Sequence, residues 1–201
     1  ALACGNTFIL KPSERNPSCG LRLAELMVEA GLPKGCLNVI NGDKETVDAL
    51  LSEPGVSAVS FVGSTKVGKS VYTKATASGK RVQALCGAKN HMVIMPDADI
   101  GQAVDAAVGG AFGSAGERCM AVSVAVTVGE ETAEEFRSML IPRIQRLKIA
   151  PFTDEKAELG PVINSAAKDR IERYIGEGIK AGAELLVDGR GIKLQGYENG
   201  Y

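Results

Sequence analysis

Short apolar runs and longer stretches of period near 3.6 follow one another from the first residues of this chain, the pattern of strands alternating with helices. Thr7-Phe8-Ile9-Leu10 suits a buried strand, and residues 17 to 30 set Leu23, Leu26, Met27 and Ala30 on one helical face. That helix begins at Pro17-Ser18 and ends at Gly31-Leu32-Pro33. Leu37-Asn38-Val39-Ile40 is the next strand, residues 44 to 52 the next helix, and Val56 to Val62 a third strand rich in β-branched residues. A turn, Gly63-Ser64-Thr65, leads into a helix over Lys66 to Ala77. Arg81 to Leu85 and His91 to Met95 read as strands, and Asp97 or Asp99 caps a helix running through Ala103, Ala107 and Phe112. Val122 to Val128 is a strand, residues 131 to 146 and 165 to 181 are helices, and Ala183 to Val187 closes the set as a last strand. Pro151 to Asn164 reads as a loop. Such alternation is the mark of βαβ units with parallel pairing, so the expected fold class is α/β.

The 201 residues suffice for one large domain or for parts of two, and a change of domain is placed near 87 to 90. Ala1-Leu2-Ala3-Cys4-Gly5 reads as the last turn of a helix closed by Gly5, and Gly196 to Tyr201 stops without a closing element. We therefore expect an internal piece of a longer protein. The 23 basic and 24 acidic residues are spread along the chain, which leaves no electrostatic footprint for nucleic acid or an anionic membrane. No apolar run approaches the roughly 20 residues of a membrane span. Five widely spaced cysteines without a C-x-x-C pair argue against a disulfide framework or a zinc site, and no metal is expected. Small molecules and further copies of the chain remain as partners.

Three places could carry chemistry. Gly63-Ser64-Thr65-Lys66-Val67-Gly68, between a strand and a helix, offers free N–H groups and the positive end of a helix dipole to a phosphate. It serves equally as a tight turn with Ser64 as N-cap. Lys11-Pro12-Ser13-Glu14-Arg15 follows the first strand, where ligands bind in open α/β sheets, and Lys11 and Glu14 could hold a ribose diol. The other reading is a solvated charged loop. Cys119 follows a run of small residues, Gly113-Ser114-Ala115-Gly116, which would let a substrate reach a thiol. Its neighbour Arg118 could activate the thiol or bind an anionic substrate group. The alternative is a buried structural cysteine, the reading given to Cys4, Cys19 and Cys36. His91, the single histidine, opens a strand and is read as structural rather than as the base of a Cys-His hydrolase.

Lys11-Pro12-Ser13-Glu14, Phe61 to Gly68, Gly87-Ala88-Lys89 and Gly116-Glu117-Arg118-Cys119, in that order, resemble the NAD(P)-dependent aldehyde dehydrogenase superfamily across essentially the whole chain. Arg81 to Leu85, Gly87 to His91 and Gly113 to Ala121 look like its CoA-acylating branch, the methylmalonate-semialdehyde dehydrogenases. The resemblance implies that residues 1–87 complete a Rossmann-like NAD-binding domain and that 88–201 begin an α/β catalytic domain. It implies Cys119 as nucleophile, Lys11 and Glu14 with Arg15 beside them at the adenosine ribose, and Ser64 at the pyrophosphate. Cys86 would make a backbone contact near the nicotinamide, and Arg118 would hold the substrate carboxylate. A carboxylate at the ribose repels a 2′-phosphate, which favours NAD over NADP.

Hydrolytic members usually carry Glu-Leu-Gly-Gly, where Glu activates water, but here the residues are Leu85-Cys86-Gly87-Ala88. The thioester on Cys119 would then be kept for coenzyme A. The family's oxyanion asparagine and downstream cofactor-binding glutamate would lie outside this chain, leaving it inactive alone. Homodimers or tetramers are implied, in the cytoplasm of a bacterium or the mitochondrial matrix of a eukaryote, the bacterial setting being preferred. Two alternatives stay open: a hydrolytic semialdehyde dehydrogenase with a base elsewhere, and a non-catalytic nucleotide-binding or assembly module.

Overall fold

The computed structural model describes residues 1–201, which divide into two compact units, Ala1–Gly87 and Ala88–Tyr201. The first opens with a 3₁₀ turn, Leu2–Cys4, closed by Gly5. It continues as β1 (Phe8–Leu10), α1 (Ser18–Glu29), β2 (Leu37–Val39), α2 (Lys44–Ser52), β3 (Ala58–Val62), α3 (Thr65–Ala77) and β4 (Arg81–Leu85). β1 pairs with β2 and β3 with β4, both parallel and in unbroken register from Phe8↔Leu37 and Ala58↔Arg81. Val56, expected in the third strand, instead closes a turn through its N–H to the Glu53 carbonyl, so the strand starts two residues later.

The core of this unit lies where α2 and α3 meet the β3–β4 pair. Leu51, Val71 and Ala75 are buried there against Val47, Val59, Phe61 and Val82. Asp48 on α2 takes Lys44 from its own helix and Lys74 of α3, the latter at 2.6 Å, and both ammonium groups hold its carboxyl below the usual range. Lys80 is only 6% exposed. Its Nζ donates to the carbonyls of Glu53 (2.5 Å) and Val56 (2.6 Å), which fastens the α2–β3 turn beside the entry to β4. The apolar stripe expected on α1 forms, but Leu23 and Leu26 are exposed and only Met27 is half-buried.

The second unit comprises β5 (Asn90–Ile94), α4 (Ile100–Phe112), a 3₁₀ turn at Gly113–Gly116, β6 (Val122–Thr127), α5 (Glu130–Gln145) and α6 (Ser165–Lys180). β5 and β6 run parallel, with an irregularity at the start: Asn90 faces Val122, but His91 faces Val124. Asp99, not Asp97, caps α4 by accepting from the Gln102 N–H at 3.0 Å. Small residues on α4 let it press closely against its neighbours, and Ile94, Val104, Ala107, Val108 and Phe136 are buried together. Arg143 reaches from α5 to Asp105 on α4 at 2.7 Å.

The expected strand over 183 to 187 does not form. Ala183 donates its N–H to the Gly178 carbonyl in the turn that ends α6, and Leu185 and Leu186 stay exposed without a ladder partner. An apolar run becomes a strand only where a neighbour offers an edge. Pro151 to Asn164 is a loop as expected, with one bridge, Ile149↔Leu159, at its start.

Replacing Lys80 with Met keeps the length of the stem but leaves two carbonyls without their donor. This should cost about 1–3 kcal/mol, read as a lower urea midpoint with an unchanged slope. An unshifted midpoint would contradict the role given to this ammonium group.

Candidate functional site

In the first unit the candidate residues collect where strands end. Lys11 directly follows β1, and its ammonium group donates to the Gly42 carbonyl beyond β2 at 2.8 Å and lies 3.4 Å from Glu14 Oε2. Lys11 and Glu14 thus sit together on the loop after β1, and Lys11 ties that loop across to the segment after β2. The Glu14 carboxyl is held below its usual range, first by its own backbone N–H and then by Lys11. It is therefore an ionised acceptor at neutral pH. Arg15 donates its backbone N–H to Ser13 Oγ, and its side chain joins neither group by a hydrogen bond.

Ser64 is the N-cap of α3, its hydroxyl accepting from the Val67 N–H at 3.4 Å. The cap engages the Val67 N–H, the Gly68 N–H bonds the Ser64 carbonyl, and the Thr65 and Lys66 N–H groups at the positive end of the helix dipole have no protein partner. Two bonds tie this turn to the end of β4: the Gly63 N–H to the Leu85 carbonyl (3.1 Å) and the Gly87 N–H to Thr65 Oγ1 (3.3 Å). Cys86 lies between them with its Sγ against Gly68, so close that a Cβ on residue 68 would overlap the sulfur. Ser64 and Cys86 are therefore neighbours just past the ends of β3 and β4, beside a shallow groove of about 400 Å³ lined by Thr65, Lys69, Tyr72 and Cys86. Leu85 ends β4 half-exposed and brings no acid or base to it.

In the second unit Cys119 projects from the return between α4 and β6. The approach is strained: Ser114 (φ 52°) and Ala115 (φ 53°) are both left-handed, and Gly116 (φ 74°) follows. A left-handed L-residue costs about 1–2 kcal/mol, and such strain gathers at functional sites. Local bonds offset it. The Glu117 N–H donates to the Ser114 carbonyl (3.0 Å), and Arg118 Nε donates to Ser114 Oγ (3.2 Å). The guanidinium folds over Gly113, where any Cβ would collide with it. Its two terminal nitrogens have no carboxylate or other hydrogen-bond partner, so Arg118 is fixed at one edge and open at the other.

Past the turn, the Ala121 N–H closes on the Arg118 carbonyl at 3.1 Å. Asn90 Nδ2 donates to the carbonyls of Cys119 and Ala121, both at 2.9 Å. This amide escapes a reading of the sequence, since no periodicity marks a contact 29 residues away. His91 hydrogen-bonds the Lys89 carbonyl through Nδ1 at 2.9 Å, and no hydrogen bond joins it to Cys119. All five cysteines are free thiols. Cys4 and Cys19, expected to be buried, are exposed like Cys119, because the 3₁₀ turn and the outer face of α1 leave them uncovered. Exposure does not distinguish Cys119 from these two, but Cys119 alone of the three follows a strained turn and has its carbonyl held by a side-chain amide.

The aldehyde dehydrogenase family model matches residues 1–201. The chain is 57% identical over 201 residues to a malonate-semialdehyde dehydrogenase of Pseudomonas aeruginosa, covering 100% of this chain and 40% of that protein. It is 48% identical over 200 residues to the acylating, mitochondrial methylmalonate-semialdehyde dehydrogenase of Arabidopsis thaliana, covering 100% of this chain and 33% of that one. A Sinorhizobium meliloti protein assigned as a methylmalonate-semialdehyde dehydrogenase, crystallised with NAD, superposes with a TM-score of 0.94 at 61% identity, covering 99% of this chain and 40% of that chain. The chain thus spans 40% or less of the length of these relatives.

Two stability measurements probe these sites. Ala115→Gly removes a left-handed penalty of about 1–2 kcal/mol and adds an unfolded-state entropy of about 0.5–1 kcal/mol. The unfolding free energy should therefore hold or rise by up to about 1.5 kcal/mol, read as an unchanged or higher urea midpoint, and a clear fall would contradict the strain. Gly68→Ala should cost about 1–3 kcal/mol beside Cys86 and become neutral in a Cys86→Ala background. Equal costs in both backgrounds would remove the proposed contact.

Proposed function

The chain belongs to the aldehyde dehydrogenase family, and from that premise we propose that it forms part of an NAD-dependent, CoA-acylating dehydrogenase of methylmalonate or malonate semialdehyde. Residues 1–87 belong to the cofactor domain and 88–201 to the catalytic domain. The observation that carries this reading is the exposed Cys119 thiol on a strained turn, beside a guanidinium with one free edge. The relatives, by their names, supply the substrate class, the acylating outcome and NAD.

The residues suit a dinucleotide. Glu14, ionised and braced by Lys11, accepts from ribose hydroxyls, with Arg15 alongside. The start of α3 at Ser64 presents its outward N–H groups to the pyrophosphate. Cys86, held by Gly68 below and by the two bonds that flank it, offers its backbone to the nicotinamide side. NAD, when bound, supplies the hydride acceptor.

Cys119 Sγ, as thiolate, forms a bond to the aldehyde carbon, and once the hydride has left that carbon the acyl group remains on Cys119 as a thioester. Arg118 pairs its free edge with the substrate carboxylate. Leu85 has only hydrocarbon to offer and cannot take a proton from water, and general-base help is typically worth about 10² to 10⁴-fold. Hydrolysis is therefore slow, and the thiolate of coenzyme A displaces Cys119. The substrate carboxylate departs as carbon dioxide, leaving its electron pair on the adjacent carbon, which takes a proton from solvent to give propionyl-CoA or acetyl-CoA. A homodimer or tetramer in a bacterial cytoplasm is the setting we favour, with the mitochondrial matrix its eukaryotic counterpart.

The test is a product assay of the longer protein carrying this chain, with methylmalonate semialdehyde and NAD, with and without coenzyme A. Turnover should stall without coenzyme A, and Leu85→Glu should raise CoA-independent release of free acid by at least about 10-fold. Free acid formed at an undiminished rate without coenzyme A would favour a hydrolytic enzyme. Binding of NAD without any turnover would favour a non-catalytic module.

A further inference from the structure

We propose that Asn90 is a positioning residue that sets the backbone from which the Cys119 thiol projects; this rests on the reading of Cys119 as nucleophile. A primary amide nitrogen carries two hydrogens, and here both are used, one on the Cys119 carbonyl and one on the Ala121 carbonyl, each at 2.9 Å. Residues 118–121 form a turn, closed by the Ala121 N–H on the Arg118 carbonyl just ahead of β6, and its later carbonyls are left for a side-chain donor. Those of Cys119 and Ala121 point toward β5 just where its ladder becomes irregular, Asn90 facing Val122 and His91 facing Val124. The side chain of Asn90 thus takes the place of main-chain donors that the β5–β6 ladder does not provide.

The position of this clamp matters because little else holds the thiol. The turn ahead of it is strained at Ser114 and Ala115, and Met120, on the far side, is 76% exposed. Between the Ala121 N–H bond to the Arg118 carbonyl and the two bonds from Asn90, the main chain at Cys119 is fixed from within its own unit. Without Asn90 the fold of β5 and β6 keeps its remaining register, Val124 to Thr127 against His91 to Ile94, while the residue carrying the nucleophile is free to drift. Misplacement of a reacting group by about 1 Å typically costs about 100-fold in rate.

The experiment uses the longer protein carrying this chain and compares wild type with Asn90→Asp, Asn90→Ala, Asn90→Gln and Cys119→Ser. Asp keeps the shape of Asn but, when ionised, faces the two carbonyls without a donor. We expect kcat to fall by about 10- to 100-fold in the Asp and Ala variants, with the KM for NAD unchanged and the thermal midpoint near wild type. Gln, which retains the amide donors, should recover part of the loss. Wild-type kcat in both Asp and Ala variants would overturn the proposal, as would losses that only track a collapse of the thermal midpoint with no recovery in Gln. Cys119→Ser separates the two readings: if it turns over normally, the assignment of the nucleophile itself fails, whereas an inactive Cys119→Ser beside fully active Asn90 variants removes only the clamp.

Discussion

Parallel pairing governs this chain. Parallel neighbours cannot be joined by a tight hairpin, so each pair needs a helical crossover, and the three pairs here are β1–α1–β2, β3–α3–β4 and β5–α4–β6. Every crossover has two turns, one leaving a strand and one returning to the next. Lys11 and Glu14 lie on the first kind after β1, and Ser64 lies on the first kind after β3. Cys119 lies on the second kind, between α4 and β6. The turns that leave strands carry the positions we propose for binding anions and hydroxyls, while the proposed nucleophile occupies a return turn that has no helix N-terminus behind it and must be shaped by other means.

Those means are strain on one side and side-chain hydrogen bonds on the other. Ser114 and Ala115 in left-handed conformation reverse the chain within a few residues of the end of α4. Arg118 and the Glu117 N–H secure the reversal itself, and Asn90 secures Cys119 and Ala121 beyond it from the neighbouring strand. The same Arg118 that braces Ser114 through Nε leaves its terminal nitrogens unpaired, so one edge of the side chain serves the turn while the other stays open. In the first unit the corresponding economy is at Cys86, whose sulfur packs on Gly68 while its backbone continues from the end of β4.

Most elements were legible because apolar periodicity and turn residues act within a few positions. β4 and α2 run as expected, and the choice between Asp97 and Asp99 as cap of α4 needed only the geometry of one N–H. The strand expected at 183 to 187 fails because its existence depends on a partner edge, a long-range condition that its own residues do not express. Cys4 and Cys19 are exposed against expectation for a similar reason: whether a thiol is covered is decided by what packs upon it. Family motifs led to Lys11, Glu14, Ser64 and Cys119, but no motif or period points to the amide of Asn90, which acts on carbonyls 29 and 31 residues away. Nor could the left-handed run have been read from Ser114 and Ala115, residue types that rarely adopt it.

Lys80 has a further consequence. Most lysines of this chain stand in solvent, yet this one is enclosed with its Nζ held by two carbonyls. An amine-directed reagent meets the others in the native state, but reaches Lys80 only when the α2–β3 turn lifts away from the entry to β4. The labelling rate of Lys80 therefore reports the local opening of the first unit.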